Sequence, residues 1–280
     1  MTIDFHTHTR FSDGSTTPTQ NAELAAIQGV RGLAITDHDT MAGWDEAAEA
    51  CAAKGLIFVP GIELSAEQDA RSVHLLGYWV DPAHPGLRAE CERLRGERSR
   101  RALEILDRLA LLGIEISLRD VLVHAGDAPI GRPHIAAAMV AAGAVVDIEA
   151  AFDDYLADSG PAYVPKHALS PERAVELLIA AGGAAVLAHP GLPPDGAPIS
   201  EALLDRLAGA GLSGIEADHA SHDAPTSARW RRIAADRDLL VTGSSDFHGE
   251  GKAVKIGERT ASIKILEALR ARAGRRSQPW

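Results

Sequence analysis

Short apolar runs alternate with longer mixed stretches along most of the chain, and run after run ends in a histidine or a carboxylate. Ile3-Asp4-Phe5-His6-Thr7-His8 reads as a strand, and because side chains alternate in extended backbone, His6 and His8 fall on one face. Thr17-Pro18 predicts an N-cap and first-turn proline for a helix through about Gln28. Gly32 to Thr36 is a strand that ends in Asp37-His38-Asp39, and 41–53 is a helix. Leu56 to Leu64 is a strand interrupted by Pro60-Gly61 and carrying Glu63, and Val73 to Val80 is a strand with His74 near its start.

The pattern changes over 86–161. Leu94, Leu103, Leu106, Leu109 and Leu112 recur at helical spacing among many charges, and short helices follow around 118–125, 132–142 and 148–157. These residues read as a helical insertion, a substrate cap, that divides a domain formed by 1–85 and 162–280. Arg88, Arg93, Arg95, Arg98, Arg100, Arg101 and Arg108 are interleaved with glutamates, which predicts a solvated face of i,i+4 pairs. The alternation then resumes. Strands Ala184–Ala188, Ser213–Ala217 and Leu239–Thr242 lead to His189, His219 and Asp246-Phe247-His248, with helices over 171–181, 200–209, 226–236 and 262–273. Arg270, Arg272, Arg275 and Arg276 read as a frayed end.

Seven strands with intervening helices predict a parallel barrel, in which functional groups gather at the carboxyl ends of strands. His6, His8, His38, Glu63, His189, His219, Asp246 and His248 occupy that position, whereas His84, His124, His167 and His222 do not. Imidazole and carboxylate ligands without thiolate suit Zn, Fe or Mn. Their number exceeds the four that one structural ion needs, and Glu63 is placed to bridge two ions. Ser12-Asp13-Gly14 is a turn that can return a carboxylate towards His6 and His8.

Composition narrows the function. The 280 residues are 46% hydrophobic, enough for a large core, and carry 28 basic against 39 acidic residues for a net charge of −11. That balance argues against duplex DNA as a partner, while bound cations can still let an acidic protein hold a small anion. No apolar run is long enough to span a membrane and Met1 leads directly into the first strand, so a cytoplasmic location without a signal peptide is expected. Cys51 and Cys91 lie in predicted helices and read as packing residues. No obligate protein partner is evident.

His6-x-His8, Thr36-Asp37-His38-Asp39, Gly61-Ile62-Glu63, Ala188-His189-Pro190 and Ser245-Asp246-Phe247-His248 resemble, in order, the motifs of the PHP (polymerase and histidinol phosphatase) superfamily. The resemblance implies an α/β fold, a distorted seven-stranded (β/α)7 barrel, with two or three divalent metal ions (Mn, Fe or Zn). Carried over by position, His6, His8, Glu63 and Asp246 would hold one ion, Asp13, His38, Glu63 and His74 a second, and His189 and His248 a third. Asp13 stands where several relatives have histidine.

Within the superfamily the chain is most similar to phosphoesterases acting on nucleoside 3′,5′-bisphosphates and on the 5′ ends of short RNA. That subgroup carries a helical insertion after the fourth strand. Gly131-Arg132-Pro133-His134 and Tyr163-Val164-Pro165-Lys166-His167 look like its substrate-side segments. The reading implied is a metal-dependent phosphoesterase in which a metal-bound hydroxide attacks phosphorus. Arg132, with His134 and Lys166, would anchor a phosphate, and His219 would protonate the leaving oxygen. The alternatives are a histidinol-phosphate or other small-metabolite phosphatase, and a non-catalytic metal-binding regulatory module.

Overall fold

Backbone pairing closes the sheet into a barrel through the segment that carries the first two histidines. The computed structural model describes residues 2–69, 71–126, 130–157, 159–165, 169–191, 199–250 and 253–274. The first half contains β1 (Thr2–Asp4), α1 (Pro18–Ile27), β2 (Gly32–Ile35), α2 (Trp44–Lys54), β3 (Ile57–Gln68) and β4 (Arg71–Tyr78). A helical stretch follows, made of α3 (Pro85–Leu111), α4 (Leu118–Ala125), α5 (Arg132–Ala141) and α6 (Ile148–Ala151), which runs on into a π-helical turn at Phe152–Leu156. The last part contains α7 (Pro171–Ala180), β5 (Ala184–Leu187), α8 (Glu201–Gly209), β6 (Gly214–His219), α9 (Ala224–Ala235), β7 (Leu240–Ser244), β8 (Ala261–Ser262) and α10 (Ile263–Arg272).

The expected barrel is present with eight strands among the described residues, in the order β7-β6-β5-β4-β3-β2-β1-β8. The additional strand, β8, pairs antiparallel with β1 through Ala261 and Ser262. Closure runs between β1 and β7. Phe5 N donates to Gly243 O at 3.3 Å, Asp246 N to His6 O at 3.0 Å and His8 N to Phe247 O at 2.8 Å. The seam therefore interleaves His6 and His8 with Asp246 and His248.

Besides β8, one strand departs from the all-parallel expectation. β4 is antiparallel to both β3 and β5. Gln68 pairs with Arg71, and so short a connection permits only an antiparallel neighbour. The reversal brings the start of β4, with His74, to the same end of the barrel as the carboxyl ends of β1, β2 and β3.

Local sequence explains the elements around this frame. Thr17 and Gln20 form a capping box at α1, with Pro18 in the first turn. The period of two in β2 sends Ala34 into a cluster with Ile3, Phe5, Val59, Leu76 and Val186, which fills the barrel, while Leu33 and Ile35 pack under the helices. The long helix α3 joins two cores. Leu87, Cys91 and Leu94 belong to the core beneath the barrel helices, whereas Ala102, Ile105, Leu106 and Leu109 pack with residues of α4, α5 and the π-helical turn.

Two expectations about arginines are corrected. The i,i+3 and i,i+4 pairs expected on α3 exist for Arg93 with Glu90 and for Arg100 with Glu97 and Glu104. Arg98 and Arg101 instead point at the barrel mouth: Arg98 pairs with Asp39, and Arg101 Nε donates to Val164 O at 2.5 Å. Charge spacing along one helix carries no information on what the barrel places beside it. Nor is Arg272 frayed, since it donates to Ser213 O at 2.8 Å and Asp238 O at 2.9 Å and ties α10 to the barrel. Arg275 and Arg276 lie outside the described residues. No described helix is long and apolar enough to cross a membrane.

Candidate metal centre and substrate cavity

His6 and His8, two residues apart on extended backbone, bring their Nε2 atoms to 2.9 Å of each other, and both side chains are fully buried. Glu63, delivered by β3, lies between them. Its Oε2 is 3.2 Å from His6 Nε2, 3.1 Å from His8 Nε2 and 3.2 Å from His38 Nδ1. Its Oε1 faces His74 Nδ1 at 2.8 Å and His189 Nε2 at 3.2 Å. One carboxylate thus spans two groups of imidazoles.

Two further carboxylates complete the cluster. Asp246 Oδ1 is 3.5 Å from His6 Nε2 and 3.3 Å from His8 Nε2. Asp13 Oδ1 lies 3.4 Å from His8 Nδ1 and 3.5 Å from His248 Nε2, and its Oδ2 lies 3.6 Å from His38 Nε2. Asp246 adopts a left-handed backbone with φ of 53°, a conformation that aspartate tolerates better than most side chains.

Electrostatics match this crowding. Burial alone would raise the Glu63 carboxyl, but His38, His6 and His74 hold it well below the usual range. Burial would likewise raise Asp13 and Asp246, and His248 with its neighbouring imidazoles holds both well below it. Burial would lower His8, yet the Asp246 and Glu63 carboxylates push it up to about 10. His38 moves the other way, held well below its ordinary value by burial against the pull of Glu63 and Asp13.

The donor set fits divalent ions. Metal–nitrogen bonds of about 2.0–2.1 Å separate adjacent ligands by about 2.8–3.4 Å in octahedral or tetrahedral geometry, close to the separations above. The buried His38 Nδ1 makes no hydrogen bond although it faces a carboxylate, as a ligand nitrogen aimed at a shared point would. Geometry yields the groups His6–His8–Asp246, His8–His38–Glu63, His6–Glu63–His189 and His8–Asp13–His248. His189 and His248 fall in different groups, so these groupings do not support the pairing of the two at one ion.

Sequence reasoning missed Glu216. This fully buried carboxylate accepts from His6 Nδ1 at 3.1 and 3.3 Å, from His189 N at 2.8 Å and from Ser244 Oγ. Burial would raise its pKa, but His6 lowers it to about 2. It orients two candidate ligands from behind. The available signal was an acidic residue inside the apolar run of β6.

The remaining candidates occupy different places. A cavity of about 230 Å³ lies between the cluster and the helical stretch, lined by Asp13, His38 and His74 on one side and Arg98, Arg101 and Arg132 on the other. Arg132 donates to Leu156 O at 2.9 Å and lies over the Phe152 and Tyr163 rings at 5.7 and 5.8 Å. His134 accepts from Gly131 N through Nδ1 at 3.1 Å, which makes it a helix cap at α5. His219 is buried, with Nε2 3.5 Å from Asp246 Oδ2 and Nδ1 accepting from Ser221 N at 3.1 Å. Lys166 lies outside the described residues.

Known proteins resemble this chain over most of its length. A 3′,5′-nucleoside bisphosphate phosphatase from Chromobacterium violaceum is 37% identical over 89% of this chain and 88% of its own length. A 5′-3′ exoribonuclease from Haemophilus influenzae is 33% identical over 91% of this chain and 93% of its own. Among solved structures, one from Bifidobacterium adolescentis assigned to the metal-dependent phosphoesterases superposes with a TM-score of 0.91, at 37% identity, over 97% of this chain and 96% of the other. The PHP domain profile itself matches residues 4–118, the span that supplies His6, His8, Asp13, His38, Glu63 and His74, and with these relatives it establishes that the chain belongs to the PHP-domain family.

Proposed function

We propose that the chain hydrolyses phosphate esters of small nucleotides, with nucleoside 3′,5′-bisphosphates as the preferred class and the 5′ ends of short RNA as further substrates. One observation carries the reading. A single cavity has a metal-ligand cluster as one wall and three arginines as the other, which suits a substrate bearing one phosphate at the metals and more negative charge beyond them. The names of the two relatives support the same substrate chemistry.

Two or three divalent ions, Mn, Fe or Zn, would be held by His6, His8, Asp13, His38, Glu63, His74, His189, Asp246 and His248. When bound, such ions activate water and neutralise charge on the phosphoryl oxygens. Glu216 keeps His6 protonated at Nδ1 and so presents Nε2 as a ligand. His219 Nδ1 accepts a backbone N–H, which leaves the proton on Nε2, the atom beside Asp246. His219 therefore serves as a fixed hydrogen-bond donor to a phosphate or leaving oxygen. Arg132, steadied by Leu156 O and two aromatic rings, anchors the second phosphate. His134 supports it by capping the helix that carries it.

In this reading 86–161 is the substrate cap on a barrel made of 1–85 and 162–280, and the protein works in the cytoplasm. The test is metal-dependent phosphate release from a panel of a nucleoside 3′,5′-bisphosphate, a mononucleotide, a 5′-phosphorylated oligoribonucleotide and histidinol phosphate. Highest kcat/KM on the bisphosphate is expected. Highest efficiency on histidinol phosphate would overturn the substrate class, and no metal-dependent release from any of the four would overturn the enzymatic reading.

A further inference from the structure

His222 lies three residues past the end of β6 and outside the candidate ligands, yet its side chain is buried and both ring nitrogens are engaged. Nδ1 is 3.0 Å from Ala217 O, and Nε2 is 3.2 Å from Gly191 N. A carbonyl only accepts and a backbone amide only donates, so one form of the ring satisfies both, neutral with its proton on Nδ1. Burial lowers the His222 pKa, which favours that form. A tight turn, in which His222 N donates to His219 O at 3.0 Å, brings the ring back to its own strand.

The two backbone groups that the ring joins are both unusual. Ala217 is the extra residue of a β-bulge: Glu216 pairs with Thr242 and Asp218 with Gly243, so no residue of β7 is its partner. Gly191 closes the turn His189-Pro190-Gly191 that follows β5. His189 there takes φ of 24°, a left-handed conformation that persists only where the surroundings impose it. Pro190 has no N–H, so the turn carries two amide protons. Glu216 Oε2 accepts the one on His189 at 2.8 Å, and His222 Nε2 accepts the one on Gly191. Both restraints come from the end of β6, one from the residue before the bulge and one from the ring fixed to it.

Gly191 and His222 are matched to each other. A Cβ on Gly191 would lie 2.7 Å from His222 Nε2 and 2.6 Å from Thr226 Cγ2. Glycine lets the backbone come close enough for the imidazole to take its N–H. A ring that served only as filler would need no such match.

We infer that His222 is a positioning residue for the ion held by His189: its ring pins the turn after β5 to the bulge of β6 and so fixes the direction of the His189 imidazole. The inference rests on the reading of the cluster as a metal centre. With the amide of Gly191 released, His189 can relax towards an ordinary backbone conformation, which carries its Nε2 away from Glu63 Oε1, 3.2 Å distant in the restrained turn.

Asn and Gln divide the two contacts of the ring. The side-chain amide of Asn falls at the place of Nδ1 and that of Gln at the place of Nε2, so His222→Asn keeps a donor for Ala217 O, whereas His222→Gln keeps an acceptor for Gly191 N. For the parent and each variant, as full chains, the melting temperature is recorded, Mn2+ affinity is measured by chelator competition, and bound ions per chain are counted by elemental analysis. Both variants should melt below the parent, because each loses a buried hydrogen bond. His222→Asn should bind its most weakly held ion about tenfold less tightly, while His222→Gln stays within about threefold of the parent.

Mn2+ affinity and ion count within twofold of the parent in folded His222→Asn would overturn the inference. So would equal weakening in both variants, which would make His222 a packing residue. Should His222→Asn fail to fold, Gly191→Ala parts the same pair from the other side, and an unchanged Mn2+ affinity in that variant would be equally decisive against it. A parent that takes up neither Mn2+ nor Zn2+ would overturn the metal-centre reading and this inference with it. If the parent binds metal but turns over nothing on the panel, the enzymatic reading fails while the metal comparison still judges His222.

Discussion

Glu216→Gln tests whether a carboxylate that touches no substrate governs the metal centre. The parent carboxylate receives His6 Nδ1 through both oxygens at 3.1 and 3.3 Å, His189 N at 2.8 Å, and Ser244 Oγ. A carboxamide has one acceptor oxygen. If that oxygen faces His6 and Ser244, the amide N–H opposes the backbone N–H of His189, and if it is flipped, the amide opposes His6 Nδ1–H. Either orientation leaves a buried donor unsatisfied at about 1–3 kcal/mol, and the charge that makes His6 a stronger ligand is gone. Metal affinity should fall by about 10- to 100-fold, which is about 1.4–2.7 kcal/mol. Chelator-competition titration gives the affinity, and steady-state rates at limiting and saturating metal give the consequence. Activity should be lost at limiting metal and return to within a few-fold at saturation. Affinity within twofold of the parent would refute the reasoning, and so would a large rate deficit in fully loaded protein.

Other outcomes follow from the same geometry. Glu63→Gln removes the carboxylate that spans both imidazole groups, so metal occupancy and turnover should fall together and excess metal should not rescue the rate; elemental analysis beside kinetics decides this. Arg132→Ala should lower kcat/KM on a bisphosphate by about 10- to 100-fold and on a monophosphate far less, measured by comparing the two substrates. His8 holds its proton in the metal-free protein up to about 10 against an ordinary 6.5, and, against burial, the Glu216 and Glu63 carboxylates push His6 well above its ordinary value as well, so an incoming metal must displace protons and apparent affinity should rise by at least about tenfold per pH unit between pH 6 and 8. By the same linkage, the stabilisation that protonated His8 gives the metal-free fold is complete below 6.5 and is lost as pH rises through about 10, which thermal melts with and without metal would reveal. Gly96 lies inside α3, and a Cβ there would meet nothing within 4 Å, so Gly96→Ala should raise stability by about 0.5–1 kcal/mol in denaturant titration.

What the sequence disclosed depended on how local the determinant was. Helix starts such as Thr17-Pro18 and Ser170-Pro171 are written in adjacent residues, and the folded chain uses both as caps. The clustering of His6, His8, His38, Glu63, His189 and Asp246 was legible because strand ends converge in a barrel whatever the details of packing. Strand direction was not legible. An apolar run reads the same in both directions, and only the shortness of the link between Gln68 and Arg71 distinguishes β4. Glu216 was hidden because its partners, His6 and Ser244, are distant in sequence, and Arg98 because its charge had an adequate explanation within α3. His134, which stands in a motif read as substrate-binding, also has a local capping task that its spacing from Gly131 alone does not announce.

The polarity of β4 acts as a ruler for the rest of the molecule. Because this strand runs away from the mouth, the chain leaves it near the floor of the barrel and must climb back before it can contribute anything above the metals. At about 1.5 Å per residue, the stretch from Pro85 to Arg98 rises about 20 Å, comparable to a six-residue strand, and the whole 27-residue helix about 40 Å. The length of α3 is therefore set by the height of the wall it scales. Removing one turn below Leu94 would keep the helix and much of its facing pattern, yet withdraw the guanidinium of Arg98 by about 5–6 Å, below the rim where Asp39 waits for it.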